Sequence, residues 1–309
     1  MNLVFCGTPQ FAVPTLEKLA EAGFNIPLVL TQPDRPQGRG LELVASPVKQ
    51  TAGKLGLTVH QPEKIKTNED LRSKLVTLAP DAIVVVGYGR IIPAWMVQLP
   101  KYGNINLHAS LLPKYRGAAP IQWAIASGEK TTGVTTMRID EGLDTGDILL
   151  QQELGIFEDD TSETLAPKLA AIGAELMVTT LRGLQSEAIT ARPQDNEQAS
   201  LAPILKKEDG RIDFGRTAQE IYNRVRGFQP WPGAFTTFRG RMLNITAAKP
   251  ASEKVAEREL LAKGPQLFLG CGGDTCLEIL ELQPAGKKRM PSRDFIHGYQ
   301  PREGEPVGQ

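Results

Sequence analysis

The run Ala82-Ile83-Val84-Val85-Val86, closed by Gly87-Tyr88-Gly89-Arg90-Ile91-Ile92-Pro93, decides the fold. Five apolar residues without a polar break, mostly β-branched, read as a central strand of a parallel sheet covered on both faces. The Gly- and Pro-rich text after it marks the strand's C-terminal end, where open α/β sheets bind their ligands. Upstream, Leu3–Cys6 reads as a short buried strand, and Gly7-Thr8-Pro9 turns it into a helix, with Thr8 as N-cap and Pro9 at the first helical position. Ile26–Leu30 is the next strand. Strand, turn, helix and strand in this order predict a Rossmann-like, doubly wound parallel sheet. A dinucleotide site would need Gly-x-Gly-x-x-Gly in the first turn. Only Gly7 is there, which argues against a nicotinamide-dependent oxidoreductase.

Downstream lies Gly103-Asn104-Ile105-Asn106-Leu107-His108-Ala109-Ser110-Leu111-Leu112-Pro113. Ile105 and Leu107 alternate with polar neighbours, the period of a strand. At about 3.3 Å per residue, Asn106 and His108 share one face roughly 6–7 Å apart. An amide donor and an imidazole at that spacing can converge on one small group. The chain continues as Lys114-Tyr115-Arg116-Gly117-Ala118-Ala119-Pro120-Ile121, and later as Gly142-Leu143-Asp144-Thr145-Gly146-Asp147. A carboxylate in a Gly-flanked turn often makes only a local Asx contact, the plainer reading for Asp140 and Asp147.

The run Asn-x-His-x-Ser-Leu-Leu-Pro-x-x-Arg-Gly-Ala-Ala-Pro-Ile, followed by Gly-Leu-Asp-Thr-Gly-Asp, resembles the 10-formyltetrahydrofolate-dependent formyltransferases. The likeness extends through Asp209-Gly210-Arg211-Ile212-Asp213, Pro230-Trp231-Pro232-Gly233 and Gln283–Lys288, so it covers nearly the whole chain. It implies formyl transfer to an amine, with Asn106, His108 and Asp144 as the catalytic set. It also implies that 10-formyltetrahydrofolate is a cosubstrate, with no metal and no permanently bound cofactor. Ser110, Leu111, Leu112 and Pro113 would hold the folate, joined by Gly87, Tyr88 and Ile91 around the pterin and by Asp140.

From Thr31 to Pro47 the connection is longer than usual and rich in Pro and Gly, hence functional or disordered. It presents Arg35 and Arg39. In the branch of the family that formylates initiator methionyl-tRNA, the matching loop reaches the acceptor end, and its Gly-Arg-Gly arginine corresponds to Arg39. Leu41-Glu42 stand where that branch often has two lysines, so this loop is less basic. Helices are expected after Ser46-Pro47, after a Thr67-x-x-Asp70 capping box, over Pro120–Ser127, and from Asp160 or Ser162 to about Leu184. His60, isolated, reads as structural.

The polar, unpatterned text from Gln185 to Pro203 reads as a linker, giving a formyltransferase domain over 1–187, a linker over 188–205 and a second domain over 206–309. A helix at Thr217–Arg226 and short strands with Gly turns predict a small OB-like β-barrel there. Residues 1–187 carry 17 Lys+Arg against 20 Asp+Glu, whereas 206–249 carry nine against four. Such a basic span is a solvated face or meets phosphates; Lys206 and Lys207 within it, and Lys287 and Lys288 beyond it, are the candidate tRNA contacts.

The 309 residues, 41% hydrophobic and 23% charged, suit a globular protein. No apolar run approaches the ~20 residues of a membrane span. Met1–Phe5 lacks the basic region of a signal peptide. Three cysteines, an odd number, suit a reducing cytoplasm, and with three His and no Cys-x-x-Cys a zinc site is not expected. The resemblance implies a monomer. Two rivals share the catalytic trio, acting on glycinamide ribonucleotide or on an amino-sugar nucleotide. The first has a Gly- and Ser-rich phosphate loop after its first strand, where Gly7-Thr8-Pro9 stands here, and has no C-terminal barrel. A nucleic-acid-binding module with a vestigial trio is the reading from another class.

Overall fold

The computed structural model describes residues 1–37 and 42–309. The chain divides into two compact units. One comprises Met1–Gly117, Thr132–Gly155 and Ala166–Leu201, the other Ala118–Thr131, Ile156–Leu165 and Ala202–Gln309.

The first unit is built on β1 (Asn2–Gly7), α1 (Val13–Glu21) and β2 (Asn25–Leu30). Entry to α1 differs from the expected cap. A 3-10 turn at Gln10–Ala12 intervenes, and the Thr8 hydroxyl donates instead to the Tyr88 carbonyl at 3.2 Å. Next come β3 (Arg35–Gln37) and β4 (Glu42–Val44), an antiparallel ribbon where an irregular loop was expected. Its base is anchored by Asp34, which accepts from Lys49 Nζ at 2.5 Å and Gln61 Nε2 at 2.7 Å. Then follow α2 (Pro47–Lys54), capped by Ser46 as expected, and β5 (Val59–His60). In α3 (Glu69–Leu78) the cap is Asn68, not Thr67. Its side chain accepts from Leu71 N at 2.9 Å, because Asn68 is the residue still extended before the helix.

The decisive strand is β6 (Ala82–Val86), buried along its whole length. Beyond α4 (Ala94–Val97), β7 (Asn104–His108) pairs with it in parallel. After α5 (Pro120–Ala126) come β8 (Thr131–Arg138) and β9 (Ile148–Gly155), and the sheet order is β5-β2-β1-β6-β7-β8-β9. The parallel sheet forms from β5 to β7, and β8 joins β7 antiparallel. The apolar side chains of β1, β2 and β6 pack with α3 residues Leu71 and Leu75 in one core.

Helix α6 (Ser162–Gln185) is capped by Thr161, whose hydroxyl accepts from Thr164 N at 3.3 Å, and not by Asp160 or Ser162. Gly173 of α6 lets the helix lie close to the back of β7. A Cβ there would come within 2.7 Å of Leu107 Cδ2. Leu107 alternates with Asn106 and His108, so α6 supports the strand face opposite theirs.

In the second unit, α7 (Ala218–Gly227) begins with a capping box between Thr217 and Glu220. A Cβ at Gly227 would stand 2.7 Å from the Gln122 carbonyl of α5, so glycine sets the approach of the two helices. Next come β10 (Ala234–Phe238), β11 (Arg241–Ala251), β12 (Glu259–Lys263), β13 (Gln266–Cys271), β14 (Thr275–Pro284), β15 (Met290–Pro291), α8 (Ser292–Tyr299) and β16 (Glu305–Pro306). The sheet runs β10-β11-β14-β13-β12-β16, antiparallel throughout. Register shifts near Ala247 bend the long β11, and the sheet curls. The C-terminal residues join its two edges: Val307 N donates to Arg258 O, and Gly308 N to Thr237 O, both at 2.8 Å. Phe238, Leu243, Ile279 and Phe295 fill the inside.

Candidate active site

Strand β7 presents three polar residues on alternate positions, and each meets a different environment. Asn104 is buried and donates to the Met96 and Val97 carbonyls at 2.9 and 3.1 Å, tying the end of α4 to the strand. Asn106 is half-buried, and its amide has no hydrogen-bond partner among the described residues. His108, 6% exposed, donates from Nε2 to the Tyr115 carbonyl at 2.9 Å. Its Nδ1 faces Asp144 Oδ2 at 3.7 Å.

A carbonyl only accepts, so Nε2 carries a hydrogen and any second proton goes on Nδ1, against the carboxylate. The same Asp144 oxygen accepts from Gly117 N at 2.8 Å. Asp144 has φ 53° and Tyr115 φ 62°. Two non-glycine residues in the left-handed region cost about 1–3 kcal/mol each, and these two face the imidazole nitrogens.

The folate candidates divide. The Ser110 hydroxyl is fully buried and donates to Lys114 O at 2.6 Å, while Thr135 donates to the Ser110 carbonyl at 2.7 Å. The Leu112 side chain packs with Met137 and Ile148. Its main chain is held by Thr135 and Gln151. Tyr88 is 1% exposed, its ring in the core and its hydroxyl unpartnered. Burial raises that phenol well above its ordinary value. Leu111 and Pro113 are half-buried, and Ile91 is 93% exposed. Gly87 has φ 54°, and a Cβ there would stand 2.8 Å from Pro9. Asp140 uses both carboxylate oxygens on the Thr145 hydroxyl, at 2.8 and 2.9 Å, and takes Gly142 N at 3.0 Å. The side chains of Ser110, Leu112 and Asp140 are thus committed to the fold, as are the Ser110, Leu112 and Tyr88 carbonyls and the Leu112 N–H.

Of the basic candidates, Arg35 is exposed where β3 begins, and Arg39 lies outside the described residues. Lys206, Lys207, Lys287 and Lys288 are exposed and in no ion pair among the described residues. Elsewhere in the basic span 206–249, three residues are ion-paired within their own unit. Arg239 pairs with Glu305 at 2.7 Å, Lys249 with Glu278 at 3.1 Å and Arg216 with Asp213 at 3.4 Å. Arg226 is buried on the Phe157 and Asp160 carbonyls.

The polar stretch after α6 takes part in the site, which its sequence does not show. Gln194 bonds Arg116 and the carbonyls of Asp144 and Gly146, and Ser200 bonds Tyr115. Among the described residues no cluster suits a metal ion and no helix is long and apolar enough to cross a membrane. A cavity of about 780 Å³ in the second unit, lined by Arg211, Phe214, Phe235 and Arg258 among others, shares no residue with the trio.

The profile of the formyl transferase family matches residues 1–181, and that of the formyl transferase C-terminal domain matches 204–300. The chain belongs to the formyl transferase family. The formyltransferase is 62% identical over its whole length to a methionyl-tRNA formyltransferase of Koribacter versatilis, covering 99% of that protein. It is 60% identical to one of Acidobacterium capsulatum, with 96% of each chain covered. Among solved structures, a methionyl-tRNA formyltransferase from Clostridium thermocellum matches with TM-score 0.54 at 19% identity, covering 82% of this chain and 94% of that one. A sugar 3N-formyl transferase, solved with dTDP and 5-N-formyl-THF, matches with TM-score 0.68 at 19% identity, covering 93% and 99%. At such identities these two share the fold.

Proposed function

We propose that the protein transfers the formyl group of 10-formyltetrahydrofolate to the α-amino group of methionyl-initiator tRNA, as a cytoplasmic monomer without a bound cofactor. The observation that carries the chemistry is the His108–Asp144 pair at the C-terminal end of β7, with the unpartnered Asn106 amide two residues earlier on the same strand. The acceptor follows from relatives at 62% and 60% identity that bear the name methionyl-tRNA formyltransferase.

The amine nitrogen attacks the formyl carbon, the carbonyl oxygen becomes an oxyanion, and the bond from carbon to N10 breaks. One proton leaves the attacking nitrogen and one arrives at N10. A free α-amino group titrates near 8, and esterification of the carboxyl lowers it, so neutral amine is present near pH 7 without a strong base. Asn106 donates to the oxyanion. The imidazole of His108, with Nε2–H fixed on Tyr115, takes or returns the proton at Nδ1, which faces Asp144 Oδ2 at 3.7 Å. The folate lies along 110–113 and the 87–91 turn, with Ile91, Leu111 and Pro113 as its apolar contacts.

Residues 1–187 carry the transfer and 206–309 carry tRNA affinity, joined by 188–205. Lys206, Lys207, Lys287 and Lys288 meet phosphates, and Arg35 and Arg39 reach the acceptor end. The test offers 10-formyltetrahydrofolate with charged initiator tRNA, glycinamide ribonucleotide and an amino-sugar nucleotide in parallel. Formylated methionine from the tRNA alone is expected. Transfer to either other acceptor, or tRNA binding without product, would overturn the reading.

A further inference from the structure

We propose that Gln194 is a positioning residue for formyl transfer: its side-chain carboxamide sets the separation of Asp144 and His108 by joining the two loops that flank the imidazole. The proposal rests on the reading of the site given above. Gln194 Nε2 donates to the Asp144 carbonyl at 2.8 Å and to the Gly146 carbonyl at 2.7 Å. Its Oε1 accepts from Arg116 Nε at 3.0 Å and Nη2 at 2.8 Å. Two carbonyls on one side and a guanidinium on the other leave one orientation of the amide, because carbonyls only accept and Arg only donates. Every hydrogen-bonding position of the carboxamide is thereby used.

What it joins gives the inference its direction. Arg116 stands between Tyr115, whose carbonyl takes the His108 Nε2 hydrogen, and Gly117, whose N–H holds the Asp144 carboxylate. The arginine is 7% exposed and is fixed a second time by Asn196 Oδ1 at 2.9 Å. Ser200 completes the clasp, its hydroxyl accepting from Tyr115 N at 2.9 Å and its carbonyl from Arg116 N at 2.8 Å. Tyr115 and Asp144 both occupy the left-handed region, a conformation that persists only where the surroundings over-determine it. Residues 194–200 supply that determination for both loops at once. Gln194 has no group left for a substrate, so it acts through Asp144.

The test uses the full-length protein with Gln194→Ala and Gln194→Glu. Glutamate keeps the size and the acceptors for Arg116 but removes the two donors to the carbonyls, so it reports on the bridge if the alanine variant folds poorly. For both variants kcat is expected to fall by about 100-fold, the effect of a misplacement near 1 Å, with KM for either substrate little changed. In an Asp144→Asn background, Gln194→Ala should add almost nothing, since two residues acting as a unit are not additive. The same factor in both backgrounds, or an unchanged kcat, would overturn the proposal. A readout free of turnover is the ¹⁵N resonance of His108 Nδ1 at fixed pH. It should move in Gln194→Ala as it moves in Asp144→Asn. An unmoved resonance contradicts the positioning role even in a protein that formylates tRNA. A protein inactive on tRNA whose resonance moves as expected leaves the positioning role standing and removes the acceptor assignment.

Discussion

The carbonyl of Tyr115 accepts the Nε2 hydrogen of His108 at 2.9 Å, and this one bond divides the labour of the site. On the proposed mechanism, with Nε2 committed, the imidazole would exchange protons at Nδ1, beside Asp144, and direct donation to an oxyanion would fall to Asn106. Sequence spacing alone gives both side chains that role. The Asn106→Ala variant should therefore lose about 10²–10³ in kcat, as for other oxyanion donors, with KM nearly unchanged. Steady-state kinetics checks it, and near-normal turnover would return the oxyanion to His108.

The three thiols should be inert in the native state. Cys6, Cys271 and Cys276 are each 0–1% exposed. Burial pushes all three up, Cys271 to about 12. The thiolate is the reactive form, so dithionitrobenzoate near neutral pH should modify none of them within minutes and all of them after denaturation. Rapid reaction of the folded protein would show that the β1 or β13–β14 packing opens.

Stability should fall on mild acidification partly through His60. Burial, and secondly the charge of Lys74, hold its imidazole below the usual value. The unfolded chain then binds the proton more readily, so this contribution is complete above about pH 6.5 and declines as pH falls through the lowered folded value. Denaturant unfolding at two pH values on either side should show a smaller loss for His60→Gln than for the wild type. Equal losses would assign the acid sensitivity elsewhere.

Charge reversal at Lys206 and Lys207, or at Lys287 and Lys288, should reduce the salt dependence of tRNA binding by about one unit of log–log slope for each phosphate no longer neutralised. An unchanged slope would mark them as solvated surface. Arg39→Ala should narrow the preference for initiator over elongator tRNA, and equal losses on both would mean a charge without selectivity.

The sheet was legible because it rests on short periods, whereas Asp144 was joined to Asn106 and His108 only by the family resemblance. The β-branched run of β6 and the alternation of β7 leave few alternatives, and both strands lie where expected. Two kinds of information were not local. Caps moved by one residue, to Asn68 and Thr161, because the cap is whichever polar residue remains extended as the helix starts, and several neighbours qualify by type. Gln194 sits in text without periodicity, and its value comes from partners 48 to 78 residues away in sequence. Likewise, the basic span reads as a charged stripe, whereas Arg226, Arg239 and Lys249 spend their charge on partners inside the same unit.

The most direct test is single-turnover formyl transfer from 10-formyltetrahydrofolate to methionyl-initiator tRNA, comparing wild type with His108→Ala and Asp144→Asn and measuring tRNA affinity alongside. The account predicts that both variants bind tRNA nearly as the wild type does and transfer the formyl group slower by about 10²–10⁴, the usual worth of general acid–base catalysis. A variant that transfers at the wild-type rate would take its residue out of the mechanism and contradict the account.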